Sequence, residues 1–188
     1  LLLYTRKDQI VISEKLLSDC RAMQRNAQRQ LYEYMAPRLY PVCRRYLSQQ
    51  GEIEEAMADA FYTILTKLDQ LRETAAFEAW ARRIVVNFCL AVLRRRGQLQ
   101  VSLDDLKQEP VQAGAWPTHL EEDDILRLLK YLPEGCRTVF NLFAIEGYSH
   151  KEIAAMLQIS EGTSKSQLSF SRSKLKELVQ QFYYQKEN

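Results

Sequence analysis

The segment Tyr148–Leu178 reads YSHKEIAAMLQISEGTSKSQLSFSRSKLKEL and gathers hydrogen-bonding side chains onto one prospective helix. Thr163, Ser164, Lys165, Ser166, Gln167, Ser169, Phe170 and Arg172 lie in a single run. Serine is a mediocre helix residue because its hydroxyl competes for backbone partners. Yet Ser164, Ser166, Ser169, Ser171 and Ser173 crowd a stretch whose Leu168, Leu175 and Leu178 keep helical spacing. Short hydroxyls, an amide and flexible cations on one helix face are the groups that reach base edges and phosphates. Gly162, a poor helix residue, fits a place where a phosphate comes close to backbone. A second concentration lies earlier in the chain. Arg83, Asn87, Leu90 and Arg94 fall on one helical stripe that runs into Arg95 and Arg96. Arg and Asn are the side chains that read guanine and adenine and hold phosphates. Taken alone, that stripe also fits a solvated face whose basic end complements the helix dipole.

The elements that must carry these groups follow from local signals. Ser149 and Glu152 have capping-box spacing ahead of an apolar run. The short helix after them is expected to bury Ile153, Ala154 and Leu157, with Ala154 and Ala155 small enough for a close crossing. Gln158–Ile159 reads as a tight turn with a buried isoleucine, and Ser160 as the cap of a second, longer helix. Capped short helix, small residue, tight turn and capped long helix make the order of a helix-turn-helix.

Upstream, Leu31, Met35, Leu39, Val42 and Tyr46 mark one apolar helix face, and Gly51 is read as the interruption after it. Ile53, Met57, Phe61, Ile64 and Leu68 mark a second helix. Phe77, Ala81, Ile84, Phe88 and Ala91 mark a third, with 71–76 as a short connection. Gly97 closes this block. Periodicity fails through 98–120, where Pro110, Gly114 and Pro117 sit among polar residues around Trp116, so this stretch reads as a linker. Helical spacing returns at Ile125, Leu128, Leu129 and Leu132, with Pro133 just beyond. Val139, Phe140, Leu142, Phe143 and Ile145 form the next helix, ended by Gly147. With only 6 Gly and 5 Pro in 188 residues, the expected class is all-α. The expected organisation is two small helical domains, 13–97 and 121–184, joined by a flexible linker.

Other chemistries find little support. The net charge of +2 is uninformative, but basic clusters at Arg82–Arg83, Arg94–Arg96 and 165–176 flank acidic stretches at Asp104–Asp105 and Glu121–Asp124. That alternation suits contact with a polyanion at two places. Cys20, Cys43, Cys89 and Cys136 are widely spaced and sit in apolar patterns, so they read as small buried hydrophobes, not a zinc site or disulfide frame. The two histidines, His119 and His150, lie in the linker and at the start of the helix-turn-helix, where His150 reads as a surface or phosphate contact and not a catalyst, and no phosphate loop, metal spacing or nucleophile motif is present. Leu1–Leu3 is too short for a signal peptide, and no stretch is long enough to insert in a membrane. The expectation is a cytoplasmic protein that is not an enzyme and needs no metal or cofactor.

Together the two halves resemble the extracytoplasmic-function (ECF) sigma factors of bacterial RNA polymerase, in the sigma-70 family. The runs that carry the resemblance are AQRQLYEYMAPRLYPVCRRYL, EEAMADAFYTILTKLDQLRETAAFEAWARRIVVNFCLAVLRRR and LPEGCRTVFNLFAIEGYSHKEIAAMLQISEGTSKSQLSFSRSKL. The resemblance implies that the chain binds core RNA polymerase and promoter DNA, commonly under an anti-sigma factor. It implies minus-ten contacts from Arg72, Glu73, Thr74, Phe77, Trp80, Arg83, Asn87 and Arg94, the loop Arg72–Phe77 capturing a flipped base. It implies polymerase contacts from Glu55, Asp59 and Phe61. It implies minus-thirty-five recognition through Thr163–Arg172. The chain departs from the family pattern at Ala58, Ala91 and Phe170. Competing readings are a helix-turn-helix regulator with a helical sensing domain, which needs an apolar ligand pocket, and a helical protein-interaction module, which needs no base-reading helix.

Overall fold

A computed structural model of the chain describes residues 12–97 and 122–181. The linker 98–120, Trp116, His119, Leu1–Leu3, the acidic residues Asp104–Asp105 and Glu121, residues 182–184, and the side chains of Glu122, Asp123 and Ile125 lie outside that description. Among the described residues there are helices and no strand. The chain divides into two compact units, Leu1–Val92 and Leu93–Asn188.

The first unit begins with α1 (Glu14–Arg21), capped by Ser13, whose Oγ accepts the Leu16 amide proton at 3.2 Å. Helix α1 buries Leu16, Leu17 and Cys20. Helix α2 (Arg25–Tyr46) runs through Pro37 and Pro41. A proline inside a helix removes one ladder hydrogen bond and crowds the carbonyl four residues back. Here those carbonyls belong to Glu33 and Pro37, both exposed residues that water can reach. The opposite face holds the helix in place: Leu31, Met35, Leu39, Val42 and Tyr46 are each no more than 2% exposed. The break after α2 falls at Leu47–Gln49, where the backbone turns extended and Leu47 is buried. Gly51 is therefore not the interruption. It occupies the exposed first turn of α3 (Gln50–Thr66), where a helix residue without a side chain meets no obstacle.

Helix α3 buries Ile53, Met57, Phe61 and Ile64, and the last apolar residue of that series, Leu68, opens a 3-10 turn (Leu68–Gln70). A second 3-10 turn (Thr74–Ala76) leads into α4 (Phe77–Arg95). The expected register of α4 needs correction. Phe77 and Ala81 are buried, but Ile84, Phe88 and Ala91 sit on the flank, and the core is completed by Val85, Val86, Cys89, Leu90, Val92 and Leu93. The helix has apolar residues on more than one side, so spacing alone permits several faces. After Phe77 the row continues with the small or β-branched side chains Ala81, Val85 and Cys89. Cys89 meets Cys43 of α2 there, and this thiol contact together with burial pushes the Cys89 thiol far up. Cys20 is pushed up to about 11, mainly by burial. All four thiols are buried and free, which matches their reading as small hydrophobes.

The second unit holds α5 (Glu122–Leu129), α6 (Glu134–Phe140), α7 (His150–Leu157) and α8 (Glu161–Val179). Leu128, Leu129 and Leu132 pack with Leu175, Leu178 and Val179 of α8, with Phe140 against the cluster. Helix α6 does not continue regularly to Ile145. Residues Asn141–Ile145 form a π-helical turn, closed by Glu146 N–H to the Asn141 carbonyl at 3.0 Å and Tyr148 N–H to the Leu142 carbonyl at 2.9 Å. Gly147 takes φ +78°, a left-handed conformation open to glycine, and so ends the element as expected. The helix-turn-helix follows. Ser149 Oγ accepts from Glu152 N–H at 3.3 Å while the Glu152 carboxylate accepts from Ser149 N–H at 2.8 Å. Helix α7 buries Ile153 and Leu157, whereas Ala154 and Ile159 are only half-buried. Gln158 turns the chain with φ 57°, and Ser160 Oγ accepts from Thr163 N–H at 2.9 Å to start α8.

Because the Ser149 box satisfies otherwise orphaned amides, Ser149→Ala is expected to destabilise the second unit by about 1 kcal/mol. Urea unfolding followed by helical circular dichroism checks this, and an unchanged midpoint contradicts it.

Candidate nucleic-acid interface

Helix α8 presents two opposed faces. Gly162, Lys165, Ser166, Ser169 and Arg172 follow i, i+3, i+4, i+7 spacing and are exposed, while Thr163 and Phe170 are half-buried. Ser164, Gln167 and Ser171 point the other way and are fully buried beside Leu168 and Leu175. The expectation that Ser164 and Gln167 face a ligand is therefore corrected, because the rotation that buries Leu168 and Leu175 carries them into the core. Ser164 Oγ lies 2.9 Å from His150 Nδ1 at the start of α7. Ser171 Oγ donates to the Cys136 carbonyl of α6 at 2.9 Å and lies 2.7 Å from the Gln167 carbonyl. Part of the serine crowding thus serves packing between helices. Gln167 is different: both atoms of its side-chain amide are buried without a hydrogen-bond partner. Gly162 meets no steric demand within the chain, since an added Cβ would find only Ser160 Oγ at an ordinary 3.5 Å.

Beside the exposed stripe, the Phe143 ring stacks on His150 with centroids 4.6 Å apart and has the Arg172 guanidinium 5.6 Å from its centroid. Thr163 Oγ1 lies 2.8 Å from Ser160 Oγ and is engaged in the helix cap. Lys165, Ser166, Ser169 and Arg172 therefore remain as the solvent-facing donors on α8.

On α4, Arg83, Asn87 and Arg94 are exposed as a stripe. Leu90, expected to share it, is 1% exposed and belongs to the core. Trp80 is half-buried, its ring 6.1 Å from that of Phe77. Phe77 itself is fully buried and cannot touch a base. It anchors the start of α4 instead, a role its place at the first position of an apolar row explains. Arg72 and Glu73 are exposed in the connection, and Thr74 is half-buried. Thr74 Oγ1 donates to the Glu14 carboxylate, which also pairs with Arg21 at 2.9 Å. The Arg21 guanidinium in turn reaches the Leu68 carbonyl at 3.4 Å and Asp69 at 3.6 Å. Spacing arguments missed this network, because Glu14 and Thr74 are distant in sequence and belong to different elements. At the start of α4, Tyr34 of α2 donates to Glu78 at 2.6 Å.

On α3, Glu55 and Asp59 lie on an exposed face with Ala58. Phe61, expected beside them, is 6% exposed and packs on Tyr32 with ring centroids 4.6 Å apart. The exposed aromatic on this face is Tyr62, 72% exposed. Its position, three residues after Asp59 and seven after Glu55, would have found it by the same spacing rule.

Two outcomes test these assignments. Hydrogen bonding to Thr74 and then to Arg21 holds the Glu14 carboxyl below its ordinary value of 4.5. The Thr74 attachment is therefore fully present above that value and is lost as pH falls through the depressed one. A Thr74 methyl resonance should titrate with a midpoint below 4.5, and a midpoint at or above it contradicts the contact. Gln167→Met, which removes an unpaired buried amide while keeping its shape, should raise stability of the second unit by about 1 kcal/mol. A loss of stability in urea unfolding would show that the amide is partnered.

Comparison with known proteins follows the same division. The model for Sigma-70 region 2 matches residues 31–99, and that for Sigma-70, region 4, matches 122–175. The chain is 28% identical over 157 residues to the ECF RNA polymerase sigma factor SigE of Mycolicibacterium smegmatis, covering 80% of this chain and 60% of that protein. It is 29% identical over 151 residues to SigM of Mycobacterium tuberculosis, covering 80% and 76%. It is 26% identical over 143 residues to the sigma-E factor of Escherichia coli K12, covering 69% and 75%. The sigma factor RpoE from Bartonella quintana, solved with the anti-sigma factor NepR, aligns with a TM-score of 0.50 at 25% identity, over 81% of this chain and 96% of that one. Two regions of one family, in order and on separate compact units, place this chain in the sigma-70 family, in its extracytoplasmic-function group.

Proposed function

We propose that the chain binds core RNA polymerase and directs it to promoters. In this reading residues 13–97 engage polymerase and open the minus-ten element, 98–120 link, and 121–184 read the minus-thirty-five element. The observation that carries it is the survival of two solvent-facing donor stripes after packing has claimed their neighbours. These are Arg83 and Asn87 on α4, and Lys165, Ser166, Ser169 and Arg172 on α8. A helix with its first turns free, preceded by a capped short helix and a tight turn, can lie in a major groove. Its lysine and arginine neutralise phosphates or pair with guanine, and its serines accept or donate to either.

The α4 stripe suits single-stranded or melting DNA, where Asn87 can pair with an exposed base edge and Arg83 can hold backbone. Trp80 offers a ring face for stacking, and the connection carrying Arg72, Glu73 and Thr74 lies just before it, where an extruded base would be received. The α3 face with Glu55, Asp59 and Tyr62 is assigned to polymerase, as an exposed acidic and aromatic surface. In this reading the chain acts as a regulatory subunit of polymerase and does no chemistry of its own. No described helix is long and apolar enough to cross a membrane. A cytoplasmic place beside polymerase accords with this reading. An anti-sigma partner accords with it too, since the Bartonella RpoE was solved with one.

Run-off transcription with core polymerase and a promoter library tests the reading. The chain should confer discrete start sites, and their absence would refute it. On a promoter so identified, Asn87→Ala should reduce permanganate-reactive thymines more than closed-complex binding. Lys165→Ala should weaken promoter affinity by about 1–3 kcal/mol if it reads a base. Footprints equal to wild type for Asn87→Ala, or unchanged affinity for Lys165→Ala, remove that residue from the site.

A further inference from the structure

The connection between α3 and α4 is anchored in the core at its ends, by Leu68 and Phe77, and is exposed between them at Arg72 and Glu73. It consists of two short 3-10 turns, Leu68–Gln70 and Thr74–Ala76, each closed by two backbone bonds, with an extended Glu73 backbone between them. One helix outside the matched sigma region touches both turns. Helix α1 precedes the region 2 match, which begins at residue 31. Glu14 and Arg21 stand two helical turns apart on it and pair at 2.9 Å. Arg21 grips the first turn through the Leu68 carbonyl at 3.4 Å and Asp69 at 3.6 Å. Glu14 grips the second by accepting the Thr74 hydroxyl. The helix under this pair is itself fixed, with Leu17 and Cys20 fully buried and Leu16 nearly so.

We propose that Glu14 and Arg21 form a strut that sets the shape of the Arg72–Phe77 connection, and so are positioning residues for selection of the minus-ten base. This rests on the reading of that connection as the base-receiving loop. Exposed ion pairs add little to global stability, so the consequence of the strut lies elsewhere. Recognition of a flipped base requires the pocket to be formed before the base arrives, otherwise ordering the loop is subtracted from affinity. A loop of two isolated turns forms such a pocket only if something outside it fixes both ends of the segment between them. Glu14 and Arg21 do this from one rigid helix face. Arg72 and Glu73, exposed between the two grips, are then presented in a set direction.

The test uses holoenzyme reconstituted from the full chain and core polymerase, with duplex promoter libraries randomised at either the minus-ten or the minus-thirty-five element. Wild type should favour one base by about tenfold or more at a minus-ten position. Glu14→Ala and Thr74→Val should each reduce that preference to about twofold, with minus-thirty-five preference unchanged. The double variant should be no worse than either single change, as expected for two residues acting through one bond. Glu14→Gln should retain the wild-type preference, because its amide oxygen still accepts the Thr74 hydroxyl. If Glu14→Ala keeps the wild-type minus-ten preference, or loses both preferences equally, the strut is refuted while the reading of the loop stands. If wild type shows no minus-ten preference at all, the reading of the loop falls, and the strut with it.

Discussion

The rotation of α8 about its own axis is the constraint on which the second unit depends. A helix of this length offers many faces, and its mean composition is too polar to choose one. The choice is made by a narrow seam, Ser164, Gln167, Leu168, Ser171 and Leu175, which is buried against the rest of the unit. Ser171 bonds the Cys136 carbonyl and Ser164 meets His150, so two hydroxyls hold α8 to α6 and to α7. Each such bond contributes only about 1 kcal/mol net. Their directionality matters more, because a rotation by one residue would separate Ser171 from the Cys136 carbonyl and Ser164 from His150. With the seam fixed, Lys165, Ser166, Ser169 and Arg172 are the groups left facing water.

Helix α4 shows the same logic with different materials. Its rotation is set by Phe77 at one end and by the close approach of Cys89 to Cys43 further along. Arg83 and Asn87 stay outside, on the flank that this rotation turns away from the core. In both units the exposed stripe is what packing leaves over. Its chemistry can therefore change without disturbing the core.

Much of this was legible in the sequence. The α2 face, the capping box at Ser149 and the stop at Gly147 follow from spacing and from residues with one strong conformational preference. Other features were hidden for identifiable reasons. Ile84, Phe88 and Ala91 were assigned to the core because α4 is apolar on several sides, so periodicity could not rank one face above another. Phe61 and Phe77 fall on apolar faces by spacing and are buried, against the contact roles that the resemblance implies for them, because family roles attach to segments whereas burial is decided residue by residue. Ser164 and Gln167 were grouped with their exposed neighbours because polar type was taken as a sign of exposure. The core here uses small polar residues where helices cross closely. The Glu14–Thr74 contact joins residues 60 positions apart in the chain, and no local pattern reports it.

In the proposed function the two stripes are parts of one machine, each holding DNA at its own element while the chain rides on polymerase. Hydroxyl-radical footprinting of the reconstituted holoenzyme on a duplex carrying both promoter elements measures this directly. The expected result is two separate protected patches, with the upstream patch alone weakened by Arg172→Ala and the downstream patch alone by Arg83→Ala. One continuous patch that responds equally to both substitutions, or no protection above that of core polymerase, would contradict it.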